Sequence, residues 1–120
     1  MIAHHLVARA DWEAADPTAP WAPPSLASEG FVHLSWPHQV DATVARHFGP
    51  DADPLVLTVD LDRLSGEVVV EDTTGRGEAF PHAYGALDRD AVVAVVPYAR
   101  WATTNSRRKG NSVTPDSSAG

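Results

Sequence analysis

Leu55-Val56-Leu57-Thr58-Val59-Asp60-Leu61 is the stretch on which the fold turns. Leu55, Leu57, Val59 and Leu61 alternate with Val56, Thr58 and Asp60, the period of two expected of a strand with unequal faces. Upstream, Gly49-Pro50 closes a predicted helix from Pro37 to Phe48, on which Val40, Val44 and Phe48 share one face. Before it, Phe31 to Ser35 reads as a strand. The four prolines between Asp16 and Pro24 predict an extended loop. A first strand is expected at Ile2 to Val7, then a short helix at Asp11 to Ala15 that Asp11 caps and Pro17 stops.

Downstream, Val68 to Glu71 predicts a shorter strand and Thr73 to Gly77 a loop with permissive Gly75 and Gly77. The continuous apolar run Ala91 to Pro97 reads as a central strand buried on both faces. Strands outnumber the two short, early helices, so the fold class is α+β. After Arg100 the chain turns polar and small, which predicts a single domain over 1–101 and a disordered tail over 102–120.

The bulk properties narrow the function classes. A chain of 120 residues suits one domain. Without cysteine no disulfide framework is available. The amino terminus lacks a basic region ahead of a long apolar stretch, and no apolar run approaches a membrane span, so a cytoplasmic protein without a membrane partner is expected. Net charge is −7, and setting aside the tail residues Arg107, Arg108, Lys109 and Asp116 leaves six basic against fifteen acidic residues. A body of that sign repels phosphate backbones, which argues against extended nucleic acid but not against a small phosphate-bearing ligand.

Six histidines are the chemically suggestive feature. On the second strand Phe31, His33 and Ser35 share one face and Val32 and Leu34 the other; on the first, His5 faces away from His4. If Val32 and Leu34 face the core, His33 and Ser35 point together into whatever lies opposite. A hydrogen-bonded core histidine and a cleft histidine both satisfy that pattern. Metal chemistry lacks a motif: there is no cysteine and no HExxH, and His33, His38 and His82 have no ligand spacing, so no metal is expected. The segment Glu78-Ala79-Phe80-Pro81-His82-Ala83-Tyr84-Gly85 gathers an acid, a histidine and two aromatics. It reads either as a binding loop or as a proline-stiffened turn plugging the sheet end.

These residues resemble the family of domain of unknown function 952. The resemblance runs through His5-Leu6-Val7, Asp11-Trp12-Glu13-Ala14-Ala15 and Pro24-Ser25-Leu26-Ala27-Ser28-Glu29-Gly30-Phe31-Val32-His33-Leu34-Ser35. It continues through Gln39-Val40, Leu55-Val56-Leu57 with Asp60, Glu71, and Gly77 to Leu87, covering about residues 2 to 98. That family is distantly similar to the ADP-ribosyltransferase fold, above all to the NAD-dependent tRNA 2′-phosphotransferases. Those carry a histidine on the first strand and a Val-His-Leu-Ser segment on the second, matching His5 and Val32 to Ser35. The resemblance implies a split, curved, mostly antiparallel sheet gripping NAD, and cleavage of the nicotinamide–ribose bond through an oxocarbenium-like transition state. In that reading His5 and Ser35, with Phe31 and Tyr84, bind the cofactor; His33 positions or protonates a reacting group; Glu78 or His82 meets the second substrate. The phosphotransferases place an arginine shortly before the Val-His-Leu-Ser segment, where this chain has Ser28-Glu29-Gly30, so a phosphorylated RNA junction is a poor fit. The rivals are a non-catalytic nucleotide- or metabolite-binding module and a metal-dependent hydrolase built on His33 and His82.

Overall fold

A computed structural model describes residues 1–104. The element order is β1 (Ile2–Val7), α1 (Arg9–Ala14), α2 (Pro24–Glu29), β2 (Val32–His33) and α3 (Val40–His47), then β3 (Leu55–Asp60), β4 (Glu67–Glu71), β5 (Phe80–Tyr84) and β6 (Val92–Pro97). Short 3₁₀ turns at Pro37–Gln39, Leu61–Arg63 and Arg89–Ala91 punctuate the connections, and residues 98–104 are helical. The strands form two antiparallel three-stranded sheets, ordered β1-β3-β6 and β2-β5-β4. The α+β class therefore stands, while the expected two helices become α1, α2, α3 and the helix at 98–104.

The alternating stretch behaves as its pattern requires. Leu55, Leu57 and Val59 are buried and belong to the main core with Ala3, Val32, Leu34, Leu87 and Ala91. Burying a leucine of this kind contributes about 2 kcal/mol. Val56 on the opposite face is also fully buried, and β3 lies between β1 and β6. The central position expected of Ala91 to Pro97 thus belongs to β3. β6 is an edge strand whose Val93 and Val95 are exposed, and its uniform apolarity carries no information about its neighbours.

A proline decides how the two sheets meet. The Leu34 N–H donates to the Pro81 carbonyl at 3.0 Å, but Pro81 has no N–H to return, so the β2–β5 ladder ends there. The chain then crosses to the other sheet, where Ser35 and His4 exchange backbone hydrogen bonds of 2.7 and 2.8 Å. Residues 32–35 consequently belong to both sheets, which is why Val32 and Leu34 sit in the core as the alternation predicts. The segment expected as a loop, Glu78 to Gly85, instead contains β5, the centre of its sheet. Pro81 had disguised it, since proline in a strand interior normally argues against one.

Other boundaries shift for local reasons. Pro24 occupies the first turn of α2, where its missing N–H costs nothing, and Gly30 ends the helix at φ 89°, so part of the proline-rich segment is helical. Helix α1 starts at Arg9 with Ala8 at its N-cap, placing Asp11 in the first turn rather than at the cap. The rest of the proline-rich connection is pinned by paired Trp21–Leu87 backbone bonds of 2.8 Å and by Arg89, which donates to the Ala19 and Asp16 carbonyls and lies 4.2 Å over Trp12. The expected domain end at 101 falls inside the last helix. Tyr98 ties that helix to α3 through a 2.6 Å bond to Asp41, and Trp101 packs edge-on against His4. The remainder of the expected tail, residues 105–120, lies outside the described residues. Among the described residues no helix is long and apolar enough to cross a membrane.

Candidate functional site

The seam between the sheets opens into a cleft of about 470 Å³, within the range of about 300–1,000 Å³ usual for small-molecule sites. Its walls come from β1, the 32–35 crossover, the C-terminal end of α3, the 72–76 loop and β5. Of the residues singled out from sequence, His5, His33, Ser35 and His82 all line it.

His5 is buried, and both ring nitrogens are committed. Its Nδ1–H donates to the His33 carbonyl at 2.8 Å, and its Nε2 accepts the Trp21 indole N–H at 2.9 Å. An indole can only donate, so the ring is the neutral Nδ1–H tautomer. Burial agrees: it lowers the His5 pKa to about 4, against a smaller opposing effect of the bond to His33. His4 points to the other face of the sheet, and burial likewise lowers its pKa to about 4.

His33 and His82 are paired residues across β2 and β5. Because Leu34 and Pro81 occupy the hydrogen-bonded position next to them, His33 and His82 form the non-hydrogen-bonded pair, in which side chains approach most closely. Their ring centroids are 5.3 Å apart, edge to face. Each ring has a carboxylate partner: His33 Nε2 with Glu29 at 3.0 Å and His82 Nδ1 with Glu71 at 2.9 Å. A carboxylate accepts, so His82 Nδ1 carries a proton, and Nε2 has no hydrogen-bond partner among the described residues. His33 is half exposed, whereas His82 is buried against Phe31, whose ring stacks on it at 4.0 Å. The Tyr84 hydroxyl also donates to Glu71; that bond, followed by the bond from His82, holds the Glu71 carboxyl below its usual range, and the bond to Glu71 raises the Tyr84 phenol above its own.

Ser35 is buried with its hydroxyl 3.0 Å from Thr43 Oγ1. Since the Thr43 hydroxyl donates to the Gln39 carbonyl, Ser35 donates to Thr43 and keeps its own lone pairs. Phe31 and Tyr84 stand behind the histidine pair, outside the cleft lining, and support it. Glu78 is also outside the lining and accepts a 3.0 Å bond from Gln39, which staples α3 to the start of β5. Among the described residues no three histidine, aspartate or glutamate side chains converge as a metal site.

Sequence reading missed Glu29, Glu71, Trp21, Arg46 and Arg76. Glu29 lies four residues before His33, a spacing that was visible. Glu71 became a partner of His82 only through the β4–β5 register, which sets Val69 opposite His82 and Glu71 diagonal to it. The arrangement can hold a polar ligand, accept a hydrogen bond at His82 Nε2 and move protons between imidazole and carboxylate.

Protein CC0527 from Caulobacter crescentus superposes with a TM-score of 0.69 at 28% identity, over 81% of this chain and 85% of that one. A double mutant of the same protein gives 0.68 at 26% identity over the same shares. No curated protein matches. The family described as "Protein of unknown function (DUF952)" matches residues 6–95, so a two-sheet fold with a histidine-lined seam belongs here to a member of the DUF952 family.

Proposed function

We propose that the cleft binds NAD or its ADP-ribose portion and that the chain is an ADP-ribosyltransferase-like enzyme cleaving the nicotinamide–ribose bond. The observation that carries this reading is the convergence of His5, His33, Ser35 and His82 on one cleft at the seam of two antiparallel sheets. His5, held neutral and fixed by Trp21, is a rigid wall against which a ribose or nicotinamide ring packs. The lone pairs of Ser35 accept from a sugar hydroxyl. His33, half exposed and backed by Glu29, takes the proton of an attacking water or hydroxyl as its oxygen bonds to the ribose carbon and nicotinamide departs with the electron pair of the broken C–N bond. His82 accepts at Nε2. Leaving nicotinamide generates positive charge at the ribose carbon, and the carboxylates behind the two histidines favour it electrostatically.

A non-catalytic nucleotide-binding module is the second reading. It is favoured by His5, whose two nitrogens are both occupied within the protein. Calorimetric titration with NAD and ADP-ribose, followed by chromatographic assay of nicotinamide over hours, separates the two. Binding with nicotinamide release supports the enzyme, and binding without release supports the module. No heat at millimolar ligand sinks both.

A further inference from the structure

Of the six arginines among the described residues, three find a carboxylate or a carbonyl. Arg9 pairs with Glu13, Arg63 with Asp60, and Arg89 caps two backbone carbonyls. Arg46, Arg76 and Arg100 have none, and of these three only Arg46 and Arg76 reach the cleft. Among the described residues neither guanidinium has a hydrogen-bond or ion-pair partner, and both line the cleft, from α3 and from the β4–β5 loop. His47, next to Arg46, lines it too. Burial, followed by the charges of Arg46, His33 and Arg76, holds His47 below its usual pKa; Glu29 opposes this. Each of these charged groups is therefore within electrostatic reach of His47.

The carboxylates nearby do not neutralise them. Three line the cleft: Asp11, Glu29 and Asp72. Glu29 is engaged by His33. Asp72 is spent on its own loop, accepting the Thr74 hydroxyl and the N–H groups of Thr74, Gly75 and Gly77. Those bonds fix the loop that presents Arg76, with Gly75 and Gly77 both at positive φ. Both guanidinium groups are exposed on the lining of one cleft and so are free to meet an anion there, and planar guanidinium groups suit phosphate oxygens.

We infer that Arg46 and Arg76, with His47, form an anion-binding end of the cleft that takes a diphosphate group of the ligand. The inference deepens the nucleotide reading and rests on it for the choice of a diphosphate over other anions. It places the phosphates at the α3 end and leaves the His33–His82 pair for the ribose side.

The test titrates the full chain with sodium pyrophosphate, inorganic phosphate, ADP-ribose and uncharged nicotinamide, alongside R46A/R76A and an R63A control. Pyrophosphate should bind more tightly than phosphate and compete with ADP-ribose. R46A/R76A should weaken it at least tenfold, R46K/R76K should restore part of the loss, and R63A should bind as the parent does. Both arginines are exposed, so melting temperatures should match and exclude misfolding. Pyrophosphate binding that survives R46A/R76A, or no anion binding at all, overturns the inference. If pyrophosphate binds through the arginines while NAD and ADP-ribose do not, the anion site stands and the nucleotide reading falls. If R46A/R76A binds ADP-ribose at full affinity, the nucleotide reading stands and the anion site falls.

Discussion

His33 and His82 face each other across the two-residue ladder of β2, with ring centroids 5.3 Å apart, yet only His82 is buried. One strand pairing thus holds a histidine built into packing beside one open to a ligand.

That asymmetry predicts opposite mutational signatures. His33→Ala removes a half-exposed ring and should cost under about 1 kcal/mol. His82→Ala leaves a cavity against Phe31 and removes one of the two donors to Glu71, at about 2–4 kcal/mol. Urea unfolding of both variants checks the contrast. His33→Ala should also lose ligand affinity, and a badly destabilised His33→Ala that still bound ligand would return this residue to a packing role.

The Glu71 carboxylate should dictate the tautomer of His82. In Glu71→Gln the side-chain amide can donate or accept, so the pure Nδ1–H form should give way to a mixture. Nitrogen-15 imidazole shifts report this directly. An unchanged tautomer would show that Glu71 does not orient the ring.

Trp21→Phe deletes the only hydrogen-bond partner of His5 Nε2 among the described residues while keeping most of the apolar bulk. A buried acceptor left unsatisfied costs about 1–3 kcal/mol. The variant should be destabilised by that order in denaturant unfolding. No change would mean that water replaces the indole.

His4 and His5 should make folding sensitive to mild acid. Burial lowers both folded pKa values to about 4 from an ordinary 6.5, so the unfolded chain binds protons first as pH falls. Their contribution is complete above about pH 6.5 and lost progressively toward pH 4. Between pH 6.5 and 5, above the titration of most carboxylates, stability measured by urea unfolding should therefore fall. His5→Phe should flatten part of that slope, and a pH-independent stability across this window would show that neither ring is buried neutral.

Legibility followed the range of the interactions involved. The alternation of Leu55 to Leu61, the opposite faces of His4 and His5, and the inward turn of Val32 and Leu34 are properties of neighbouring residues, and local periodicity reports them. The four cleft residues His5, His33, Ser35 and His82 were nameable from residue type, strand face and family resemblance. β5 was not legible as a strand, because Pro81 breaks the local rule and only its role at the sheet seam explains its place. The edge position of β6 was equally hidden, since Val92 to Val96 would read the same at the centre of a sheet.

Residue types and their alternation by themselves determined an α+β chain with histidines on strand faces and an acidic body. Only the tertiary structure decided that Glu71 sits behind His82, that Trp21 reaches across sixteen residues of chain to hold His5, and that Arg46 and Arg76 share one cleft. The physical reason is that side-chain direction along a strand repeats every two residues and can be read locally. Pairing register and sheet order instead depend on hydrogen bonds between distant segments, and here on the one N–H that Pro81 lacks.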